Sequence, residues 1–178
     1  MESLDESNNI TLVNIIANNN EFGIGLSKSS GNTLINMINI TASNNKWGIS
    51  LIKSNNNILR SIVFVNDGLI VLDSYGNIIE NSTVNGRPLV YLENAKNLVI
   101  DESVNPGQVI LVNPSNILIK NIEITNTVVG IELLRSTNIM LINVMSNNNW
   151  YGIHLSKSSS STLINVTAKT TGLGSTLS

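Results

Sequence analysis

Residues 23–40 of this chain read GIGLSKSSGNTLINMINI, and much of this stretch returns as GIHLSKSSSSTLINV at residues 152–166. Two shorter copies, GISLIKSN and GIELLRST, begin at Gly48 and Gly130. The closing position of each copy, usually a Ser, recurs roughly every 20 to 25 residues, which is the spacing of a solenoid repeat. The sequence therefore predicts about eight stacked coils.

Each copy alternates apolar and polar residues, and this period of two is typical of a β-strand with one buried face. After a second apolar stretch the alternation slips by one residue at a small polar side chain. Such a slip indicates a bend, held by an Asn in the left-handed region of backbone space. Stacked copies of this residue predict a ladder of hydrogen bonds between coils. The ladder column comprises Asn14, Asn39, Ser61, Asn81, Asp101, Asn121, Asn143 and Asn165.

Together these patterns predict an all-β fold, a single-stranded right-handed parallel β-helix with three parallel sheets and Asn and Ser ladders at its turns. A leucine-rich repeat shares the period and an Asn column. It would place a helix or a 3₁₀ segment on its convex side, where this sequence is β-branched and rich in Asn. No linker is evident, so residues 1–178 are predicted to form one domain, as a segment of a larger protein.

Composition excludes several classes of protein. The chain has no cysteine, a net charge of −2 and 12% charged residues. Disulfides, thiolate metal sites and a basic surface for nucleic acid are therefore excluded. The apolar runs are far shorter than the ~20 residues that a membrane-spanning helix needs, so we expect no membrane insertion. The amino terminus lacks the features of a signal peptide, which predicts either a cytoplasmic protein or an excised piece.

The middle coils carry apolar residues where the terminal coils have polar or small ones. Strands that are apolar on both faces are normally covered on both faces. This face therefore predicts an interface with a second copy or with another domain of the parent protein, or a cover made by the chain's own long turns. The interface candidates are Ile52, Ile70, Leu72, Val90, Leu92, Ile110, Val112 and Leu134.

The charged residues provide one candidate catalytic column. Lys53, Asp73 and Glu93 each precede the closing position of successive coils. Asp67 and Arg87 are similarly related on the other side of the strand. Polysaccharide-cleaving enzymes use clustered carboxylates, and two carboxylates one coil apart would also suit a Ca²⁺ ion. A solvated ladder of alternating charge is the simpler interpretation, so we expect no catalytic residue and no cofactor.

Aromatic residues recur at one edge of the repeat. Phe22, Trp47 and Tyr151 stand directly before the repeat Gly, and Trp150 precedes Tyr151. Because aromatic rings at a loop edge can stack on sugar rings, these four are candidate glycan-stacking residues. His154 is the single histidine. With no cysteine to join it, the sequence supports neither a catalytic triad nor a transition-metal site.

The pattern G-I-x-L-x-x-S followed by N-x-x-L-x-N-I resembles the parallel β-helix repeats (PbH1) of the NosD-like and carbohydrate-binding and sugar hydrolase (CASH) families. Residues 84–100 and 107–127 are also similar to segments of archaeal cell-surface proteins of this kind. The resemblance implies an extracytoplasmic protein, at the cell surface or secreted. It implies a non-catalytic structural or binding module for glycans or protein partners. The alternatives it implies are a polysaccharide-active lyase, hydrolase or epimerase, and an accessory of copper-enzyme maturation.

Overall fold

A computed structural model describes residues 2–17, 22–36, 40–41 and 47–170 of the chain. Every regular element in this part of the chain is a β-strand, and the strands stack in parallel as a β-solenoid of about seven turns. The prediction of an all-β parallel solenoid is confirmed. The chain divides into two compact units, Met1–Gly86 and Arg87–Ser178.

The first unit is built from short strands. Among its described residues these are β1 Glu2–Asp5, β2 Thr11–Val13, β3 Phe22–Ser27, β4 Thr33–Ile35, β5 Ile40–Thr41, β6 Trp47–Ile52, β7 Ile58–Arg60, β8 Val63–Val65, β9 Leu69–Leu72, β10 Ile78–Glu80 and β11 Thr83–Val84. They form three parallel arrays in the orders β1-β3-β6-β9, β2-β4-β7-β10 and β5-β8-β11. Ile24 pairs with Ile49, and Ile49 pairs with Leu69, so one apolar column runs through successive coils.

The second unit has longer strands. They are β12 Arg87–Glu93, β13 Lys96–Ile100, β14 Gln108–Val112, β15 Ser115–Thr125, β16 Val129–Leu134, β17 Thr137–Asn149, β18 Tyr151–Ser156 and β19 Thr162–Thr170. They form two parallel arrays in the orders β12-β14-β16-β18 and β13-β15-β17-β19. Strands β15 and β17 each pass through a left-handed residue, Asn121 and Asn143, both with φ of 52°. One long strand thereby serves two faces of the coil.

An aliphatic core fills each unit. In the first unit Leu26, Leu51 and Leu59 are fully buried, and in the second Ile119 and Leu141 are. Because each is an inward position of its strand, the period of two in the sequence directly identifies the core.

The predicted Asn ladder is present on the outside of the coils. Asn143 Nδ2 donates to Asn121 Oδ1 at 3.1 Å, and Asn165 Nδ2 donates to Asn143 Oδ1 at 3.2 Å. All three side chains are exposed. In the first unit the same column holds Asn14, Ser61 and Asn81, each with positive φ, while Asn39 lies outside the described residues.

Two further ladders run inside the first unit. Ser29 N–H donates to Ser54 Oγ at 3.0 Å, and Ser54 N–H donates to Ser74 Oγ at 2.9 Å. Three residues later, Asn32 N–H donates to Asn57 Oδ1 at 2.9 Å, and Asn57 N–H donates to Asn77 Oδ1 at the same distance. These side chains satisfy buried backbone groups at a turn where strand pairing ends.

The fifth coil has a different register from the one predicted. Val90 pairs with Val109 and Leu92 with Leu111, so both face the core, whereas the sequence pattern placed them outside. The coil is 19 residues long, as the Asn113–Asn94 side-chain hydrogen bond shows, so the positions that a 20-residue spacing predicts within this coil are displaced by one. Asp101 is therefore not a ladder residue.

The shifted Asp101 has a different set of contacts. Its carboxylate lies 4.0 Å from Lys120 Nζ and accepts hydrogen bonds from the hydroxyl and N–H of Ser103. These two donors hold the pKa of Asp101 below its usual range, with a smaller contribution from Lys120. The change of register therefore places Asp101 in a local turn at the surface instead of in the ladder.

Candidate functional site

A cleft lies on the outer face of the array β1-β3-β6-β9 in the first unit. Its floor is a row of small residues, because Ser3 pairs with Gly25, and Gly25 pairs with Ser50. Trp47, at the start of β6, and Ile52, at its end, stand above this floor. Ser50 is the residue of β6 between these two large side chains that lines the cleft, and its small side chain leaves a depression.

This depression, here called the Trp47 cleft, has a volume of about 170 Å³. The Trp47 side chain is half-buried with its Nε1 inside the protein, so the ring is held at one edge and partly open to solvent. The cleft is lined by Ser3, Gly25, Leu26, Ser27, Trp47, Ser50 and Ile52.

Gly25 creates much of the space. A Cβ added at this position would meet only the Ser50 hydroxyl, at 3.5 Å, which is an ordinary contact distance. A larger side chain here would therefore project into the cleft without disturbing the backbone.

Among the described residues that line the cleft, none has an ionisable side chain, and the polar side-chain groups are hydroxyls. These described residues offer a charged ligand no counter-ion, whereas a neutral ligand has no charge to desolvate when it enters the cleft. The arrangement of one aromatic ring, an aliphatic wall and hydroxyl groups suits a small, uncharged, amphipathic ring.

Asp67 lies behind this site, where the sequence pattern had predicted a surface charge. It is 2% exposed, because its carboxyl fills the space that Gly48, having no side chain, leaves open. Gly68 N–H donates to Asp67 Oδ1 at 2.8 Å, and Gly48 N–H also donates to the carboxyl. Asp67 Oδ2 is buried without a hydrogen-bond partner. Burial raises the pKa of Asp67 to about 8, against the opposing effect of the two N–H donors.

The other candidate stacking residues lie elsewhere. Phe22 pairs with Trp47 through the backbone, and its side chain lies outside the described part of the structure. Trp150 and Tyr151 belong to the second unit and are half-buried at the junction of β17 and β18. The Tyr151 ring lies 6.1 Å from the His154 ring.

The predicted catalytic column is only partly assembled. Lys53 and Asp73 occupy adjacent coils of the first unit and are exposed; Lys53 N–H donates to Leu72 O at 2.8 Å. In the second unit the Tyr91 hydroxyl donates to Glu93. Arg87 Nε and Nη2 donate to the carbonyl oxygens of Asn105 and Glu123, so its guanidinium holds backbone segments together.

The apolar middle face is not an open surface. Ile70, Ile110, Val112 and Leu134 are at most 3% exposed, so the chain's own atoms cover them. Val90 and Leu92 pack against the core because of the register shift in the fifth coil. The other two candidates, Ile52 and Leu72, are half-buried, and Ile52 lines the Trp47 cleft. The burial of the first four residues agrees with the second alternative, a cover made by the chain itself.

One ionisable pair was missed by the sequence interpretation. His154 Nδ1 lies 3.2 Å from Glu132 Oε1, and Glu132 is 0% exposed. The two residues pair across β16 and β18. Both are the third residue of a repeat copy, GIEL or GIHL, and this shared position could have predicted that they are neighbours.

Replacing His154 with Ala should destabilise the second unit. The substitution removes the imidazole that contacts the buried Glu132 carboxyl, and we expect a loss of about 1–3 kcal/mol in the free energy of unfolding. Urea denaturation followed by Trp150 fluorescence in a Trp47→Phe background would measure it. The matched control is Glu132→Gln with His154→Ala, which should recover most of the loss. Equal loss in both variants would contradict the pairing.

Within the described ranges, no group of three or more His, Asp or Glu side chains is placed to hold a metal ion. The same residues include no helix that is long and apolar enough to cross a membrane.

Comparison with known proteins agrees with the architecture. Residues 48–175 match the family model described as right handed beta helix region, which covers more than half of the 178 residues. A search among curated proteins found no match. With its parallel arrays and its Asn and Ser ladders, the chain belongs to the right-handed β-helix family.

Proposed function

We propose that this chain is a non-catalytic binding module that takes a neutral glycan into the Trp47 cleft. The observation that supports this most directly is the described lining of the cleft, in which a partly open Trp ring stands beside hydroxyls and none of the described lining residues is charged. Sugar rings have an apolar face and a polar rim, and they match such a surface. The volume of about 170 Å³ suits one ring rather than a drug-sized molecule.

The alternative of a polysaccharide-active enzyme has less support. Arg87 donates to two backbone carbonyl oxygens, and Glu93 accepts from Tyr91, so each has a structural contact that accounts for its position. Lys53 and Asp73 are exposed on the solvent side of a turn. We place the binding module in a cell-envelope or secreted protein, as the resemblance of its repeat to cell-surface β-helix proteins implies.

Replacing Trp47 with Ala should weaken glycan binding at least about tenfold, because stacking on the ring and the area it buries would both be lost. Affinity electrophoresis in native gels that contain soluble β-glucan or galactomannan would measure the retardation, with polygalacturonate and alginate as acidic comparisons. The wild type should be retarded by a neutral polymer only.

Trp150→Ala is the matched control, since it removes the same side chain from the second unit. It should leave retardation unchanged. Equal loss of binding in the two variants, or retention of the wild type by the acidic polymers alone, would contradict the proposal.

A further inference from the structure

The peptide group that joins Trp47 to Gly48 is held from inside the protein. Its N–H donates to the Asp67 carboxyl, which also accepts from Gly68 N–H. Both donors belong to the backbone of adjacent coils, because Ile49 N–H donates to Gly68 O at 3.1 Å. Asp67 therefore connects the strand that carries Trp47 to the next coil.

The carboxyl of Asp67 is closely surrounded by the protein and is 2% exposed. A Cβ at Gly48 would collide with Asp67 Oδ2, and Oδ2 itself is buried without a hydrogen-bond partner. Among the described residues, burial and two backbone N–H groups act on Asp67, and no charged side chain does. An uncharged carboxyl is accommodated in such a place, whereas a carboxylate is not.

We infer that Asp67 is a positioning residue of the Trp47 cleft, whose uncharged carboxyl holds the Trp47–Gly48 peptide and whose ionisation loosens Trp47. This inference concerns regulation of the proposed glycan site and rests on that function for its biological meaning. Ionisation favours movement of the carboxylate toward water, and this movement breaks its hydrogen bond with the Trp47–Gly48 peptide. The cleft is therefore formed at pH values at which Asp67 is protonated, and it is loosened at higher pH values at which Asp67 is ionised.

The test uses no glycan, so it can fail independently of the proposed function. In the full chain with Trp150→Phe, Trp47 is the only tryptophan, and acrylamide quenching of its fluorescence reports its exposure. Between pH 6 and pH 10 the quenching constant should rise about twofold or more, with a midpoint near the pKa of about 8 that burial gives Asp67. Far-UV circular dichroism should stay constant over this range.

Two variants separate positioning from a general structural role. Asp67→Asn keeps the acceptor oxygen but cannot ionise, and it should show low quenching at every pH. Asp67→Ala removes the acceptor and should show high quenching at every pH. A transition that persists in Asp67→Asn, no transition in the Trp150→Phe parent, or a loss of β signal that accompanies the transition would overturn the inference. Because Asp67→Asn preserves the shape of the buried group, a failure of Asp67→Ala to fold leaves the test intact.

Discussion

The Asp67→Asn variant should be more stable than the wild type at pH 8, by about 3–5 kcal/mol in the free energy of unfolding. The carboxyl is 2% exposed, and burial raises its pKa from 3.8 to about 8. At neutral pH, ionisation of this group lowers the free energy of the unfolded chain, whereas the folded chain keeps the group protonated. An amide of nearly the same shape ionises in neither state, so the substitution removes this stabilisation of the unfolded chain.

The pH dependence has a definite direction. Below about pH 4 the carboxyl is protonated in both states and does not disfavour folding. As pH rises from there to about 8, only the unfolded state releases the proton, so the wild type loses stability across this window. Above the folded pKa of about 8 the loss levels off.

Guanidinium denaturation at a series of pH values, followed by Trp47 fluorescence in a Trp150→Phe background, would measure this effect. Asp67→Asn should be nearly flat between pH 4 and pH 8 relative to the wild type. If the two curves run parallel across the window, Asp67 is ionised in the folded protein and our account of its burial is wrong.

Asn57→Ala should destabilise the first unit by about 3–4 kcal/mol, because it leaves buried polar groups without partners. Asn57 Oδ1 accepts from Asn32 N–H at 2.9 Å, and its Nδ2 donates to Ser29 O at 3.1 Å. Both partners would remain buried after the substitution. Asn57 also lies between Asn32 and Asn77 in the inner ladder, so the substitution interrupts the ladder.

Asn8→Ala is the matched control, since it removes an amide from an outer turn of the same unit. Asn8 Oδ1 accepts from Ser30 N–H at 2.7 Å in an exposed hydrogen bond, so its loss should cost below about 1 kcal/mol. Chemical denaturation with Trp47 as the reporter would compare the two. Equal losses in the free energy of unfolding would mean that the inner Asn ladder contributes no more to stability than an exposed turn does.

The fold was predictable because its signal is repeated in every coil. A period of two identifies the inward residues, and an Asn where the alternation slips identifies the bend, as Asn121 and Asn143 show. Errors arose where a repeat changes length. In the fifth coil, one residue fewer moved Val90 and Leu92 into the core and Asp101 out of the ladder.

The candidate site was harder to predict because it depends on which residues are adjacent in neighbouring coils. Trp47 was identified by its repeat position, but the cleft also needs Gly25 and Ser50 in one row, which only the register reveals. From the sequence alone, Asp67 is expected to be an exposed charged residue. It is buried because Gly48 has no side chain and leaves space for its carboxyl. The motif S-x-x-N at Ser29, Ser54 and Ser74 was a visible signal of the inner Asn ladder.

Titration of the Trp150→Phe protein with neutral and uronate oligosaccharides, followed by Trp47 emission, shows whether the Trp47 cleft binds a neutral glycan. We predict a saturable change with a neutral oligosaccharide and none with a uronate. Gly25→Val, which fills the cleft and should change the free energy of unfolding by less than about 0.5 kcal/mol, should abolish the response. If no neutral saccharide alters Trp47 emission, or if Gly25→Val responds as the parent does, the cleft is not the binding site.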